Sequence, residues 1–276
     1  MSHLPVFTFV IIYMRFYTFN RVINAEPLHG DNVRDAMKKE FPFVALIKVK
    51  IGTKDEYKYC SGTLISRRHV LTAAQCLPTK NGVFDTINVQ IGFPNVLESK
   101  WYNSSKWTTQ NDWSAMRGKR PEYEKDDIAV ITLNKDVSAS LGVKPPVISE
   151  QPKGHSCLWS VRLVGWALTS SSPPETTLTT TAVKIVSKDK CELVIAGSKG
   201  RKYPSKTDLF CTFAQPDLIL MDADIGGPVL CGNRILGVSV GKKHVSLPDL
   251  GGPTSVSIHA SIDNHGGFIR EVAKLA

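Results

Sequence analysis

Six cysteines, at positions 60, 76, 157, 191, 211 and 231, carry the most evident reactive chemistry in this chain. Cysteines can ligate a metal as thiolates or close disulfides, and six of them allow fifteen pairings. No Cys-x-x-Cys or His-x-x-x-His spacing occurs, so no metal or cofactor is expected. His69 stands near two hydroxyls, Ser66 and Thr72, but all three read as ordinary members of a strand region, with His69 a surface side chain. Asn103-Ser104-Ser105 is an N-glycosylation acceptor triplet, usable if the chain is secreted. Basic residues gather at Lys48, Lys50, Lys54 and Lys58, at Arg117, Lys119 and Arg120, at Lys199, Arg201, Lys202 and Lys206, and at Lys242-Lys243. Such clusters suit sulfated glycans, anionic lipids or an acidic partner, and equally suit solvated loops. No aromatic platform is interleaved with them, so a nucleic-acid partner is not expected.

The elements that must position these groups are short strands. The chain has 276 residues, 42% hydrophobic and 21% charged. That excludes a disordered polymer and a disulfide-dependent miniprotein. Leu4 to Tyr13 is an uncharged run too short to span a bilayer, and it fits a secretory signal peptide over residues 1–25, ending at Ala25. No transmembrane anchor is expected. The net charge of 34 − 25 = +9 becomes 32 − 25 = +7 once Arg15 and Arg21 are removed. Phe43–Ile51, Gly62–Ile65, Val70–Ala74, Thr86–Ile91 and Ile128–Leu133 read as strands, being β-branched or alternating between turn residues. Val161–Trp166, Ala182–Val186, Val229–Cys231, Ile235–Val240 and Ser255–Ile262 repeat the style after Pro145-Pro146. Ser170–Thr181 reads as an exposed loop, the stretch carrying Trp101, Trp107 and Trp113 as a long loop whose tryptophans either form an exposed contact surface or pack the loop down, and only the tail reads as helical.

Three segments, Cys60–Cys76, Asp126–Val130 and Asp222–Pro228, taken together resemble one family, the trypsin- and chymotrypsin-like serine proteases. Cys60-Ser61-Gly62-Thr63-Leu64, with Val70-Leu71-Thr72-Ala73-Ala74-Gln75-Cys76, is similar to the stretch carrying its catalytic histidine. Asp126-Asp127-Ile128-Ala129-Val130 resembles the stretch of its buried aspartate, and Asp222-Ala223-Asp224-Ile225-Gly226-Gly227-Pro228 its nucleophile loop. The resemblance runs in uninterrupted order over roughly residues 30–276. It implies an all-β fold of two six-stranded antiparallel barrels, about 40–140 and 147–262, with a C-terminal helix at 266–275. It also implies the disulfides Cys60–Cys76, Cys157–Cys231 and Cys191–Cys211. The family's further bridge at the specificity pocket is missing, with Met221 at one of its positions.

The resemblance also implies that ordinary triad chemistry is gone. Gln75 stands where the histidine belongs and Ile225 where the serine belongs; only Asp127 is retained. A carboxamide is no base near neutral pH, and an alkyl side chain has no nucleophilic atom. Loss of serine or histidine alone costs about 10⁶ in turnover in a Ser-His-Asp template. The oxyanion positions, Ala223 and Ile225, keep backbone N–H groups, but an alanine at a position that demands positive φ would be strained. Gln75 is expected to donate a hydrogen bond to Asp127, and Ile225 to fill the cleft with apolar volume.

Activation and specificity are altered on the same basis. The family's activation site falls on Gly30-Asp31 after His29, a poor cleavage point. Arg21-Val22-Ile23 looks better but overlaps the signal peptide. N-terminal sequencing of secreted material is expected to give Glu26; a start at Val22 would contradict that expectation. Ile219 replaces the carboxylate that receives a basic substrate residue, and Ser239, Val240 and Gly241 form the former pocket wall. The leading expectation is a secreted pseudo-protease that binds an extracellular protein, whether a protease, its substrate or its inhibitor. An unconventional hydrolase and a module for anionic glycans or membrane surfaces are the alternatives.

Overall fold

The computed structural model describes residues 32–51, 56–78, 86–92, 100–120, 127–148, 161–168, 176–196, 208–214, 218, 220–247 and 252–275. A two-residue strand, β1 (Arg34–Asp35), comes first and pairs with the second barrel. The first barrel is built from β2 (Val44–Ile51), β3 (Glu56–Ser66), β4 (His69–Thr72), β5 (Ile87–Ile91), β6 (Lys100–Thr109) and β7 (Ala129–Leu133). These close in the order β2-β3-β4-β7-β6-β5. In β2 Val44, Ala45, Leu46 and Ile47 are buried on both faces, and alternation begins only after them, with Val49 buried and Lys48 and Lys50 in partial contact with water. Each buried Ile, Leu or Val contributes roughly 1.5–3 kcal/mol of transfer free energy.

A short parallel pair, β8 (Val147–Ile148) against a strand of the second unit, follows the buried Pro146. The second barrel comprises β9 (Val161–Leu168), β10 (Thr176–Ile185), β11 (Leu209–Phe213), β12 (Pro228–Cys231), β13 (Arg234–Leu247) and β14 (Gly252–Ser261). They run β10-β11-β14-β13-β12-β9, and pairing of β9 with β10 closes the ring. The fold is therefore all-β, with two six-stranded antiparallel barrels.

Three readings from sequence need correction. Trp101 and Trp107 lie on β6 and Trp113 on the helix α1 (Gln110–Ala115), not in a loop. β6 was hard to see because Asn103, Ser105 and Lys106 are exposed and Tyr102 is its only fully buried side chain. Asn103, the glycosylation candidate, is thus an exposed side chain on a strand. Thr176 to Thr181 belongs to β10, where Thr179, Thr180 and Thr181 are buried and Thr180 donates to the Leu163 carbonyl at 2.9 Å. β-branched threonine fits such a pleated surface despite its polarity. The tail is also not the only helix. α1 starts with a reciprocal capping box between Thr109 and Asp112. α2 (Lys188–Ala196) is stapled by Cys191–Cys211, and its last carbonyls, of Val194 and Ile195, accept from the Lys243 ammonium at 3.0 and 2.6 Å. The tail itself forms α3 (Gly266–Ala273), whose Phe268 packs edge-on against Trp113 with ring centroids 5.9 Å apart.

The two barrels meet along β3 and the turn before β12. Ser61 N donates to the Ile225 carbonyl at 2.8 Å, Ser61 Oγ to the Ala223 carbonyl at 2.8 Å, and Trp166 N to Ser61 Oγ at 3.3 Å. Gly226 makes this approach feasible. Its φ is +86°, and a Cβ there would collide with the Ser61 carbonyl oxygen and Thr72 Oγ1. Gly226→Ala should therefore destabilise the chain by about 3 kcal/mol or more, combining backbone strain with overpacking. Urea denaturation followed by fluorescence checks it; an unchanged midpoint would show that the seam is slack.

Candidate functional site

The cleft between the barrels is organised by two short turns. Ala74–Cys76 forms a 3-10 turn after β4, tied to β3 by the Cys60–Cys76 disulfide. It carries Gln75 to Asp127, which lies just before β7, separated from it by Ile128. Gln75 N donates to Asp127 Oδ1 at 2.7 Å, and the side-chain Nε2 donates to Asp127 Oδ2. The same Nε2 donates to the Val240 carbonyl at 2.7 Å, so both amide protons are used, one in each barrel. The Lys58 ammonium donates to the Gln75 carbonyl at 2.7 Å. Burial pushes the Asp127 carboxyl above the usual carboxylate range, while N–H groups of Gln75 and Ala74 and the Lys58 charge work against that shift.

The second turn, Asp222–Asp224, is also 3-10. Among the described non-glycine residues only Lys39 and Lys274 have positive φ, so Ala223 escapes the strain considered above. The turn changes the donors instead. The Ile225 N–H bonds the Asp222 carbonyl at 3.3 Å within its own loop, and the Ala223 carbonyl is taken by Ser61. The Ile225 side chain is half-buried against the apolar core.

Between these residues lies a carboxylate in an apolar setting. Asp224 is 1% exposed; its Oδ2 accepts from Met221 N at 2.9 Å, and its Oδ1 has no partner among the described residues. Gly165 leaves room for that oxygen, since a Cβ there would collide with Oδ1. Burial raises the Asp224 carboxyl to about 7, against the opposing charge of Lys242.

Ser239, Val240 and Gly241, expected from the resemblance at a pocket wall, lie on β13. Ser239 does not face the cleft: it is buried, and its Oγ lies 3.3 Å from Nδ1 of the buried His259. His259 Nε2 meets Thr212 Oγ1 at 2.8 Å, and burial holds this imidazole down at about 3. Val240 presents its carbonyl to Gln75, and Gly241 has open space where a side chain would be. Lys242, expected in a basic pair beside the former pocket, reaches back so that its ammonium donates to the Leu220 carbonyl and lies 4.0 Å from Met221 Sδ. No local pattern announces that contact; it depends on the long-range pairing of β13. Ile219, Cys157 and the expected activation segment lie outside the described residues, although Cys231 is disulfide-bonded. Among the described residues no His, Cys, Asp or Glu cluster could hold a metal, and no helix is long and apolar enough to cross a membrane.

Two closed antiparallel barrels with an aspartate-bearing turn at their seam define the class as a chymotrypsin-like fold. The chain belongs to the trypsin family: the family profile described as Trypsin matches residues 31–261. It is 29% identical to Kallikrein-8 of Mus musculus over 196 residues, covering 65% of this chain and 65% of that relative's length. It shares its fold with the mouse brain serine protease neuropsin (TM-score 0.64, 19% identity, 87% of this chain and 98% of that one). A scabies mite inactivated protease paralogue, S-I1, superposes about as well, with TM-score 0.63, 20% identity and coverage of 86% and 96%.

Proposed function

We propose that this chain is a secreted, non-catalytic member of the trypsin family that acts by binding an extracellular protein, as decoy, cofactor or regulator of a protease cascade. One observation carries the reading: the Gln75 amide sits on Asp127 and spans to Val240, where an active member needs a base that can release and return a proton. An amide nitrogen has no lone pair available for that role. Ile225 offers no nucleophile, its N–H is engaged within its own turn, and Lys242 reaches into the region of the pocket. The fold shared with a mite paralogue described as inactivated is compatible with this use of the scaffold. Asn103, exposed on β6, is proposed as a glycan attachment site on the same secreted product.

Turnover on a broad peptide library tests the proposal. Purified full chain, read by mass spectrometry, is expected to give no cleavage above a buffer control. Cleavage that disappears in Asp127→Asn would overturn it.

A further inference from the structure

The structure gathers a basic surface that none of the linear clusters announces. Arg67 and Arg68 lie at the tight turn from β3 to β4, and His69 opens β4. His69 and Lys106 both register with Thr132, His69 from β4 and Lys106 from β6, so the three side chains share one face across neighbouring strands. Two strand spacings place the backbones of His69 and Lys106 roughly 10 Å apart. Lys274 joins them from the end of α3, held at φ 51°, a conformation that favours glycine and is unusual for lysine.

These charges are poorly neutralised. The Arg68 guanidinium is pinned by two carbonyls, those of Leu133 at 2.9 Å and Asn134 at 2.8 Å, which fix its position without cancelling its charge. Arg67 meets Asp136 at 3.7 Å with both side chains well exposed, a contact worth little in water. Next to it, a cavity of about 310 Å³ opens between Arg67, Lys144 and Ser138 over an apolar floor that includes Leu64 and Val137. The local field registers on His69: burial lowers its proton affinity first, and Arg68, Lys106 and Lys274 lower it further, with Asp136 opposing them. Ser66 Oγ, 2.8 Å from His69 Nδ1, fixes the ring in place.

We propose that this face, formed by Arg67, Arg68, Lys106, Lys144 and Lys274, is a docking surface for a sulfated polysaccharide chain. The charges are spread along a surface rather than focused in a phosphate-sized cage, which suits a linear polyanion. No aromatic ring among these residues offers a platform for bases, which disfavours single-stranded nucleic acid. The inference is independent of whether the cleft catalyses.

The test uses the full chain and heparin as the probe. Binding is expected to weaken steeply with salt. Arg67→Ala/Arg68→Ala/Lys106→Ala/Lys274→Ala should weaken it at least ~10-fold near physiological salt, with the log–log salt slope shallower by roughly 3, by analogy with phosphate contacts. Lys184→Ala/Lys188→Ala, on β10 and α2, should leave it unchanged. Thermal melts that match the wild type exclude misfolding of these exposed-site variants. In the wild type, heparin should also move the His69 imidazole titration upward in NMR, because the polyanion offsets the neighbouring cations. Absence of salt-sensitive heparin binding, equal losses in both variants, or an unmoved His69 would overturn the proposal. Stronger binding to phosphatidylserine vesicles or single-stranded DNA than to heparin would overturn the choice of ligand.

Discussion

Asp224→Asn raises the stability of the folded chain at pH 8 and changes it little at pH 4. The carboxyl is buried beside Gly165, one oxygen has no described partner, and its folded value stands at about 7 against 3.8 for a free side chain. A raised folded value means that the native state keeps a proton that the unfolded chain has released. This contribution to stability is complete below the unfolded value near 4 and is lost as pH rises through about 7. Three units correspond to about 4 kcal/mol at most. Asparagine keeps an acceptor for Met221 N and carries no charge to desolvate, so its stability curve should be flatter over that range. Paired denaturation curves at pH 4, 6 and 8 measure the difference. Asparagine costing stability at pH 8 would mean that the carboxylate has a cationic partner, such as a liberated amino terminus, and that proteolytic activation is retained.

Restoring the missing side chains is expected to fall well short of restoring an enzyme. Gln75→His/Ile225→Ser returns a base and a nucleophile beside Asp127. It does not free the residue-225 N–H from the Asp222 carbonyl, and it leaves the Lys242 ammonium on the Leu220 carbonyl. Loss of one oxyanion donor alone costs about 10²–10³ in kcat in a serine protease. The double variant should therefore turn over at least ~10²-fold more slowly than active members of the family, with a further gain when Lys242→Gly is added. Ordinary rates from the two substitutions alone would show that the 222–225 turn rearranges freely when substrate binds.

The first barrel is legible in the sequence because it rests on local pattern, and the hydrogen bond expected from Gln75 to Asp127 is present. Apolar, β-branched runs identify β2, β4 and β7, and short ordered motifs mark the turns. Where burial is decided by a partner far along the chain, local pattern misled. β6 looks polar because one face is solvated, and the threonines of β10 look like a linker until β9 covers them. Ser239 is the clearest case. An irregularity in the β13–β14 ladder pairs Ser239 with His259 and Gly241 with Ile258, leaving Val240 as the extra residue. That single insertion turns Ser239 inward and aims the Val240 carbonyl at Gln75. The T-x-x-D box of Thr109 and Asp112 is a local signal for α1, whereas the Lys242 and Lys243 contacts have no local trace at all.

Two disulfides support the cleft and its flank: Cys60–Cys76 holds the Gln75 turn and Cys191–Cys211 holds α2. The central claim is that the cleft they support contains no activated nucleophile. Intact-mass analysis of the purified full chain after incubation with a fluorophosphonate probe tests it most directly. The account predicts an unmodified mass under conditions that label an active trypsin-family protease to completion. Stoichiometric labelling at one residue, abolished by substituting that residue, would contradict it.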